Sequence, residues 1–270
     1  MKIESGLFDH MVLQRTLKNV CDARIEGSCD AKGQVTTRVT RGGKAFRGFA
    51  SAKVGVASQG SFKANLKGLP AGGPYDVELF IGGERILVQD VLVGDVWLLA
   101  GQSNMQGCGL VPEKPLPVNP MVRAFYSNDR WAPAEDPIHS LWESVDPVHA
   151  QLFGGALPPK PAKGWGVCPG PAFGVEMIKF TGVPQGLIAC AHGGTTMAQW
   201  SPKLKGEGGT SLYGAMLRKF KKNGGKVAGM LWYQGCSDSG PVAEPVYTHA
   251  MKEFISTLRR DCGDSRLPVA

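Results

Sequence analysis

Apolar and polar residues alternate over short stretches in the first third of the chain. Glycine-rich turns such as Gly72-Gly73-Pro74 and Gly82-Gly83 separate these stretches. Alternation with a period of two predicts strands that are buried on one face, and short strands between frequent turn signals are typical of a small β-sandwich. We therefore predict a β-sandwich domain over residues 1–90, with strands at Gln34–Thr40, Phe62–Leu66, Tyr75–Ile81 and Arg85–Val91.

The pattern changes after Asp90, where longer apolar runs alternate with helical periodicities. Apolarity on both faces suits a strand between two helix layers, which predicts strands at Val91–Ala100, Gly186–Ala191 and Val227–Tyr233. Helical patterns cover Pro171–Phe180, Leu212–Lys222 and an apolar stripe from Tyr247 to Leu258. This alternation predicts a second domain over residues 91–270, an α/β fold with a parallel sheet and helices on both of its faces.

Two regions of the second domain have a different character. Residues 107–170 are rich in proline and tryptophan and show no clear period, so we expect loops with short helices there. Leu267–Ala270 has the composition of the opening of one more strand.

Each of the three apolar runs ends in a polar or glycine-rich segment. In an open parallel sheet, ligands bind beyond the carboxyl ends of the strands. The sequence therefore predicts that three segments converge at one edge of the sheet, namely Gly101–Met105, His192–Thr196 and Gln234–Asp238.

Residue types in these segments suit nucleophilic chemistry. Ser103 follows a strand and a glycine, and a helix beginning at Asn104 would direct free N–H groups at an oxyanion. Gly193 and Gly194 allow a further backbone donor to approach closely, and Gln234 offers a side-chain amide. Each residue also has a structural alternative: Ser103 as a helix cap, the glycines as a tight turn and Gln234 as a strand-end residue bonded to a loop.

Composition narrows the function classes. The net charge of +7 comes from lysines and arginines spread along the chain, with no base-reading motif, so we expect no nucleic-acid partner. No apolar run is long enough to span a bilayer. No CxxC pair occurs among the seven cysteines, which argues against a zinc ribbon.

The N-terminal residues lack an apolar signal region, which predicts a cytoplasmic protein, or a periplasmic or secreted one if the N-terminus is incomplete.

The three segments resemble the blocks of a known enzyme family. GQSNM within DVWLLAGQSNM, GGT at Gly193–Thr195 and WYQG at Trp232–Gly235 are similar, in order, to the three blocks of the sialate O-acetylesterase-like branch of the SGNH hydrolases. GLFDHMVLQR and LPAGGPYDVEL resemble the β-sandwich that precedes the hydrolase domain in these esterases.

The resemblance implies a serine esterase that acts on carboxylic ester bonds of O-acetylated carbohydrates, without a metal or organic cofactor. Ser103 would be the nucleophile and would form an acetyl-enzyme. Backbone N–H groups of Ser103 and of Gly193 or Gly194 would form the oxyanion hole with the Gln234 amide. Substrate-side positions would be Gln102, Asn104, Thr195 and Trp200.

The chain departs from the family pattern at two places, the catalytic base and the residue that follows Gln234-Gly235. The family histidine lies in a D-x-x-H motif after the third block, where only His249 occurs, three residues after Val246. The D-x-x-H strings at Asp136–His139 and Asp146–His149 precede the second block, and we assign them structural or substrate-side roles. We expect an N-terminal fragment whose catalytic Asp and His are not in this chain. Cys236 stands where the family has Glu.

A different class of function stays open. A carbohydrate-binding protein that retains the cleft without catalysis would also keep these motifs. Trp165, Trp200 and Trp232 would then stack on sugar rings, although each is also a candidate for core packing.

Overall fold

The computed structural model describes the whole chain, Met1–Ala270. It contains fifteen strands and five α-helices. The strands are β1 (Lys2–Ser5), β2 (Val12–Gln14), β3 (Val20–Ser28), β4 (Gly33–Arg41), β5 (Lys44–Ala45), β6 (Ala52–Ser58), β7 (Ser61–Pro70), β8 (Gly72–Ile81), β9 (Glu84–Gly101), β10 (Gly109–Leu110), β11 (Val122–Phe125), β12 (Trp131–Pro133), β13 (Trp165–Val167), β14 (Gln185–Ala189) and β15 (Gly229–Tyr233). The helices are α1 (Ser103–Gln106), α2 (Pro147–Leu152), α3 (Pro169–Thr181), α4 (Leu212–Lys222) and α5 (Glu244–Cys262), and short 3-10 turns cover Leu141–Glu143, Pro202–Thr210 and Cys236–Asp238.

Strand β9 belongs to two differently built parts of one sheet. Its first half pairs with antiparallel β8, and the path continues through β4, β6, β7, β3 and β1. Its second half lies between parallel β14 and β15, and β14 pairs in turn with β11. Gly94 lies at the change of partners, where a Cβ would be 1.9 Å from the Pro184 carbonyl oxygen. A side chain at this position would separate β9 from the Pro184 backbone.

Helices cover both faces of the parallel part. Leu98 and Ala100 belong to a core of 44 buried residues that includes Phe220 of α4 and Phe254 of α5. Leu99, which faces the other way, belongs to a second core that includes Met105 of α1 and has Phe173 of α3 packed against it. The predicted α/β fold, with a large sheet and helices on two faces, is therefore confirmed.

The antiparallel strands are hydrogen-bonded into the same sheet as the parallel strands and do not form a separate sandwich. Strand β9 runs through residue 90 without a break, and the larger core joins Ile25 and Val77 to Leu98 and Phe220. The predicted β-sandwich is accordingly not confirmed, and the division into residues 1–90 and 91–270 stays a prediction.

Most predicted elements lie where the patterns indicated, and α4 coincides with Leu212–Lys222. The Leu267–Ala270 segment lies beside β15, where the Trp232 N–H donates to the Ala270 carbonyl at 2.7 Å. The region 107–170, expected to be loops and short helices, also supplies β11 to the parallel sheet. None of the helices is both long and apolar enough to cross a bilayer.

Candidate active site

Three loops meet at the carboxyl edge of the parallel sheet, as the sequence predicts. The Gln102 N–H donates to the Tyr233 carbonyl at 2.9 Å, and the His192 N–H donates to the Gly101 carbonyl at 3.1 Å. Gly101 has a φ of 135°, and a Cβ there would lie 2.2 Å from the Tyr233 oxygen. Only glycine allows this close approach, so the end of β9 is held directly against β15.

Ser103 is the first residue of α1 and is half-buried. Its hydroxyl makes no hydrogen bond within the protein, and the N-terminus of α1 has no side-chain cap. The capping alternative for Ser103 is therefore wrong. A Cβ built on Gly193 would lie 3.6 Å from both Cα and Cβ of Ser103, so the second loop passes directly beside this serine.

The predicted oxyanion donors differ in their availability. The Gly193 N–H donates to Gln106 Oε1 at 2.6 Å. Gln234 Nε2 donates to the Thr195 carbonyl at 2.9 Å and also to the Asp238 carboxylate. Gly194 is exposed and its N–H makes no hydrogen bond, and the first N–H groups of α1 have no acceptor within the helix.

Burial corrects three of the substrate-side predictions. Gln102, Thr195 and Trp200 are 3%, 1% and 0% exposed, so their side chains cannot contact a substrate in this structure. The Trp200 indole N–H donates to Thr195 Oγ1 at 3.0 Å, which makes these two residues a support beneath the second loop. Asn104 alone of the four is half-buried at the surface, with its Oδ1 accepting from the Cys108 thiol.

Gln102 braces the third loop instead. Its Oε1 accepts from the N–H groups of Gly235 at 3.1 Å and Ser237 at 3.2 Å. The residue before Ser103 thereby fixes the position of the loop that carries Gln234. The role follows from the residue's burial between two loops, which no sequence pattern indicates.

Two residues at the site escaped the sequence reasoning. Asp238 is buried, and its carboxylate accepts from the Met197 N–H at 3.0 Å and from the Gln234 amide. Gln106 lies one turn after Ser103 and links α1 to Gly193. Only their positions in the sequence could have indicated these two residues. Gln106 directly follows the Gly101–Met105 segment, and Asp238 ends the third segment.

No histidine side chain hydrogen-bonds to the Ser103 hydroxyl. His149 and His192 form a buried pair with 2.7 Å between their Nδ1 atoms and rings stacked at 5.0 Å. Burial lowers the pKa of His149 to about 2, of His139 to about 3 and of His192 to about 4. His249 is exposed on α5. None of these four side chains hydrogen-bonds to Ser103, and the three buried ones are neutral at pH 7.

A partly buried ion-pair network anchors the strand that leads to the second loop. Arg218 donates to both oxygens of Asp146, at 2.6 and 2.8 Å, and also to both oxygens of Asp129. Lys219 is 1% exposed, lies 3.8 Å from Asp146 and donates to the Ala189 carbonyl at 2.7 Å. Since Ala189 ends β14, the network fixes the strand that leads to Gly193 and Gly194.

Asp146→Asn is expected to lower the free energy of unfolding by about 3 kcal/mol, because it leaves the buried Lys219 ammonium without its counter-charge. Thermal unfolding measures the change. Glu176→Gln removes an exposed carboxylate paired with Lys179 and is the control, with an expected loss below about 0.5 kcal/mol. Adding Lys219→Met to Asp146→Asn should recover part of the loss; equal losses for Asp146→Asn and Glu176→Gln would contradict this account.

The site lies within a stretch that matches a family of carbohydrate esterases. Residues 93–270, which contain all three loops, match the family model described as carbohydrate esterase, sialic acid-specific acetylesterase. The chain belongs to this family, and the resemblance stated from its motifs is confirmed.

Individual relatives agree with this assignment. The chain is 29% identical to a probable carbohydrate esterase of Arabidopsis thaliana over 196 residues, which cover 64% of this chain and 66% of the relative. The crystal structure of that Arabidopsis protein is similar with a TM-score of 0.50 at 28% identity, over 64% of this chain and 71% of that one.

A second crystal structure shares the fold over nearly the whole chain. A novel carbohydrate acetylesterase from Xanthomonas citri is similar with a TM-score of 0.62 at 24% identity, and the match covers 99% of this chain and 59% of that one. The chain therefore spans about two thirds of the curated relative and a smaller share of the Xanthomonas protein.

Proposed function

We propose that the protein is a carbohydrate O-acetylesterase in which Ser103 attacks the acetyl carbonyl. Family membership supports the reaction class. The observation that carries the role of Ser103 is its place where three loops meet, with an unbonded hydroxyl and the Gly193 backbone beside it. A hydroxyl held by no other group is available to a substrate.

The proposed reaction passes through an acetyl-enzyme. Ser103 Oγ adds to the carbonyl carbon, the sugar oxygen leaves with a proton, and water then releases acetate from the serine. The N–H groups at the start of α1 and the free Gly194 N–H stabilise the tetrahedral oxyanion. The Gly193 N–H can donate to the oxyanion only after its hydrogen bond to Gln106 breaks. The Gln234 amide can do so only after it releases the Thr195 carbonyl or the Asp238 carboxylate.

The proton of Ser103 needs an acceptor. No histidine or carboxylate hydrogen-bonds to the Ser103 hydroxyl in this structure. Cys236 is a poor substitute nucleophile, because it is exposed in the third loop and hydrogen-bonds to no base.

Acetate release by the protein tests this function. The substrates are acetylated xylan, an O-acetylated sialic acid and p-nitrophenyl acetate. Release of acetate from a glycan supports the esterase. Binding of the same glycans without any release of acetate would instead favour the second candidate, a carbohydrate-binding protein that keeps the cleft.

A further inference from the structure

The Asp146–His149 string, which takes no part in the proposed acetyl transfer, lies at the start of α2. Asp146 is the N-cap residue of this helix, and His149 is the third residue within it. Both residues are 1% exposed. Ionisable side chains are seldom buried this completely unless they are paired, so their partners indicate the role of the string.

The aspartate is paired with α4. Its carboxylate accepts from Arg218 at 2.6 and 2.8 Å and lies 3.8 Å from the Lys219 ammonium. Both cations are neighbours on α4, which belongs to the larger core through Phe220. The ion pairs therefore fix the first turn of α2 against a helix that is itself held against the sheet.

The histidine is paired with the second loop of the candidate site. The Nδ1 atoms of His149 and His192 are 2.7 Å apart, and their ring planes differ by 2°. A neutral imidazole has one N–H donor and one acceptor nitrogen, so one Nδ1 atom donates to the other. Since His192 is only 2% exposed, water cannot replace this hydrogen bond if an apolar side chain takes the place of His149.

His192 carries this constraint into the site. Its backbone N–H donates to the Gly101 carbonyl at 3.1 Å. The ring bond to His149 is the one hydrogen bond of His192 that comes from outside the three loops. Gly193 follows directly, and a Cβ built on it would lie 3.6 Å from Ser103. The His149 ring therefore restrains the segment that passes beside the candidate nucleophile.

We propose that His149 is a positioning residue for the esterase reaction. Through the His192 ring it holds the second loop, and with it the free Gly194 N–H, where the oxyanion forms. A displacement of about 1 Å at a reacting group can lower a rate about 100-fold. The part of His149 in the reaction rests on the proposed function, whereas its restraint of the loop does not require turnover.

His149→Leu tests the proposal, because leucine fills the position without a polar atom. Its kcat for acetate release should fall at least about tenfold while KM changes less than about twofold, since an oxyanion donor acts only in the transition state. His149→Asn puts an amide nitrogen close to the Nδ1 position and should keep kcat within about threefold. His249→Leu removes an exposed histidine of α5 and is the control, with kcat and KM unchanged.

Exchange of the Gly193 amide proton, followed by NMR, measures the restraint of the loop without turnover. This N–H is protected by its hydrogen bond to Gln106. It should exchange at least about tenfold faster in His149→Leu and at an unchanged rate in His149→Asn. His149→Gln, whose amide reaches the Nε2 position instead of the Nδ1 position, should act like His149→Leu and replaces it if that variant does not fold.

Equal kcat and equal Gly193 exchange in His149→Leu and His249→Leu would overturn the proposal. So would equal losses in His149→Leu and His149→Asn, or a rise in KM without a fall in kcat. If the Gly193 amide exchanges faster in His149→Leu but the unaltered protein releases no acetate, the esterase proposal fails and the restraint of the loop stands. If acetate release depends on Ser103 and not on His149, the positioning role fails alone.

Discussion

Ser103→Ala is expected to lower the rate of acetate release at least about 1000-fold, because removal of a nucleophile abolishes the covalent route. Folding should not change, since the Ser103 hydroxyl makes no hydrogen bond that alanine would lose. The measurement is acetate release at saturating substrate, together with the melting temperature of each variant.

Ser237→Ala is the matched control for this substitution. Ser237 lies in the third loop of the same site, and its hydroxyl accepts only a 3.3 Å hydrogen bond from Gln102 Nε2. Its loss should change the rate less than about threefold. Comparable losses for the two variants, or a melting temperature that falls only for Ser103→Ala, would show that Ser103 has a structural role instead.

Lowering the pH from 7 to 5 is expected to reduce the free energy of unfolding by about 4 to 6 kcal/mol. His139, His149 and His192 have pKa values lowered by burial to about 3, 2 and 4, whereas an unfolded histidine titrates near 6.5. Below pH 6.5 these three histidines bind protons in the unfolded chain and not in the folded protein, which outweighs the opposite effect of Asp136, whose pKa burial raises to about 6, so stability falls as pH falls. Each histidine contributes about 1.4 kcal/mol per pH unit in this window.

Denaturant unfolding at pH 7, 6 and 5 measures this dependence. His149→Gln removes one of the three buried groups and should reduce the loss by about a third. His249→Gln removes an exposed histidine and should leave the loss as it is. A free energy of unfolding that is constant from pH 7 to 5 would contradict the neutral, buried state of these side chains.

The sequence predicted the parallel sheet well because its strands are apolar on both faces. Val91–Ala100, Gly186–Ala191 and Val227–Tyr233 correspond to the end of β9, β14 and β15. Strand β11 was missed because Val122–Phe125 is only four residues long and lies in a region without a clear period. The continuity of β9 was missed because the hydrophobic pattern changes near Asp90. That change reflects the different strands that pair with the two halves of β9, not a break in the strand.

The sequence predicted which backbone segments form the candidate site, but not how their side chains pack. Convergence of the three loops follows from topology, since the carboxyl ends of parallel strands share an edge. Burial of Thr195 and Trp200 depends on how the loops pack, and so does the bond between Gly193 and Gln106. Such long-range contacts leave no periodic signal in the sequence.

Covalent trapping tests the central role of Ser103 most directly. The protein is incubated with diisopropyl fluorophosphate, its peptides are mapped by mass spectrometry, and acetate release is followed in parallel. This account predicts one modification, on Ser103, that rises in proportion to the loss of activity. Modification of Ser237 or another residue in proportion to that loss, with Ser103 unmodified, would contradict it.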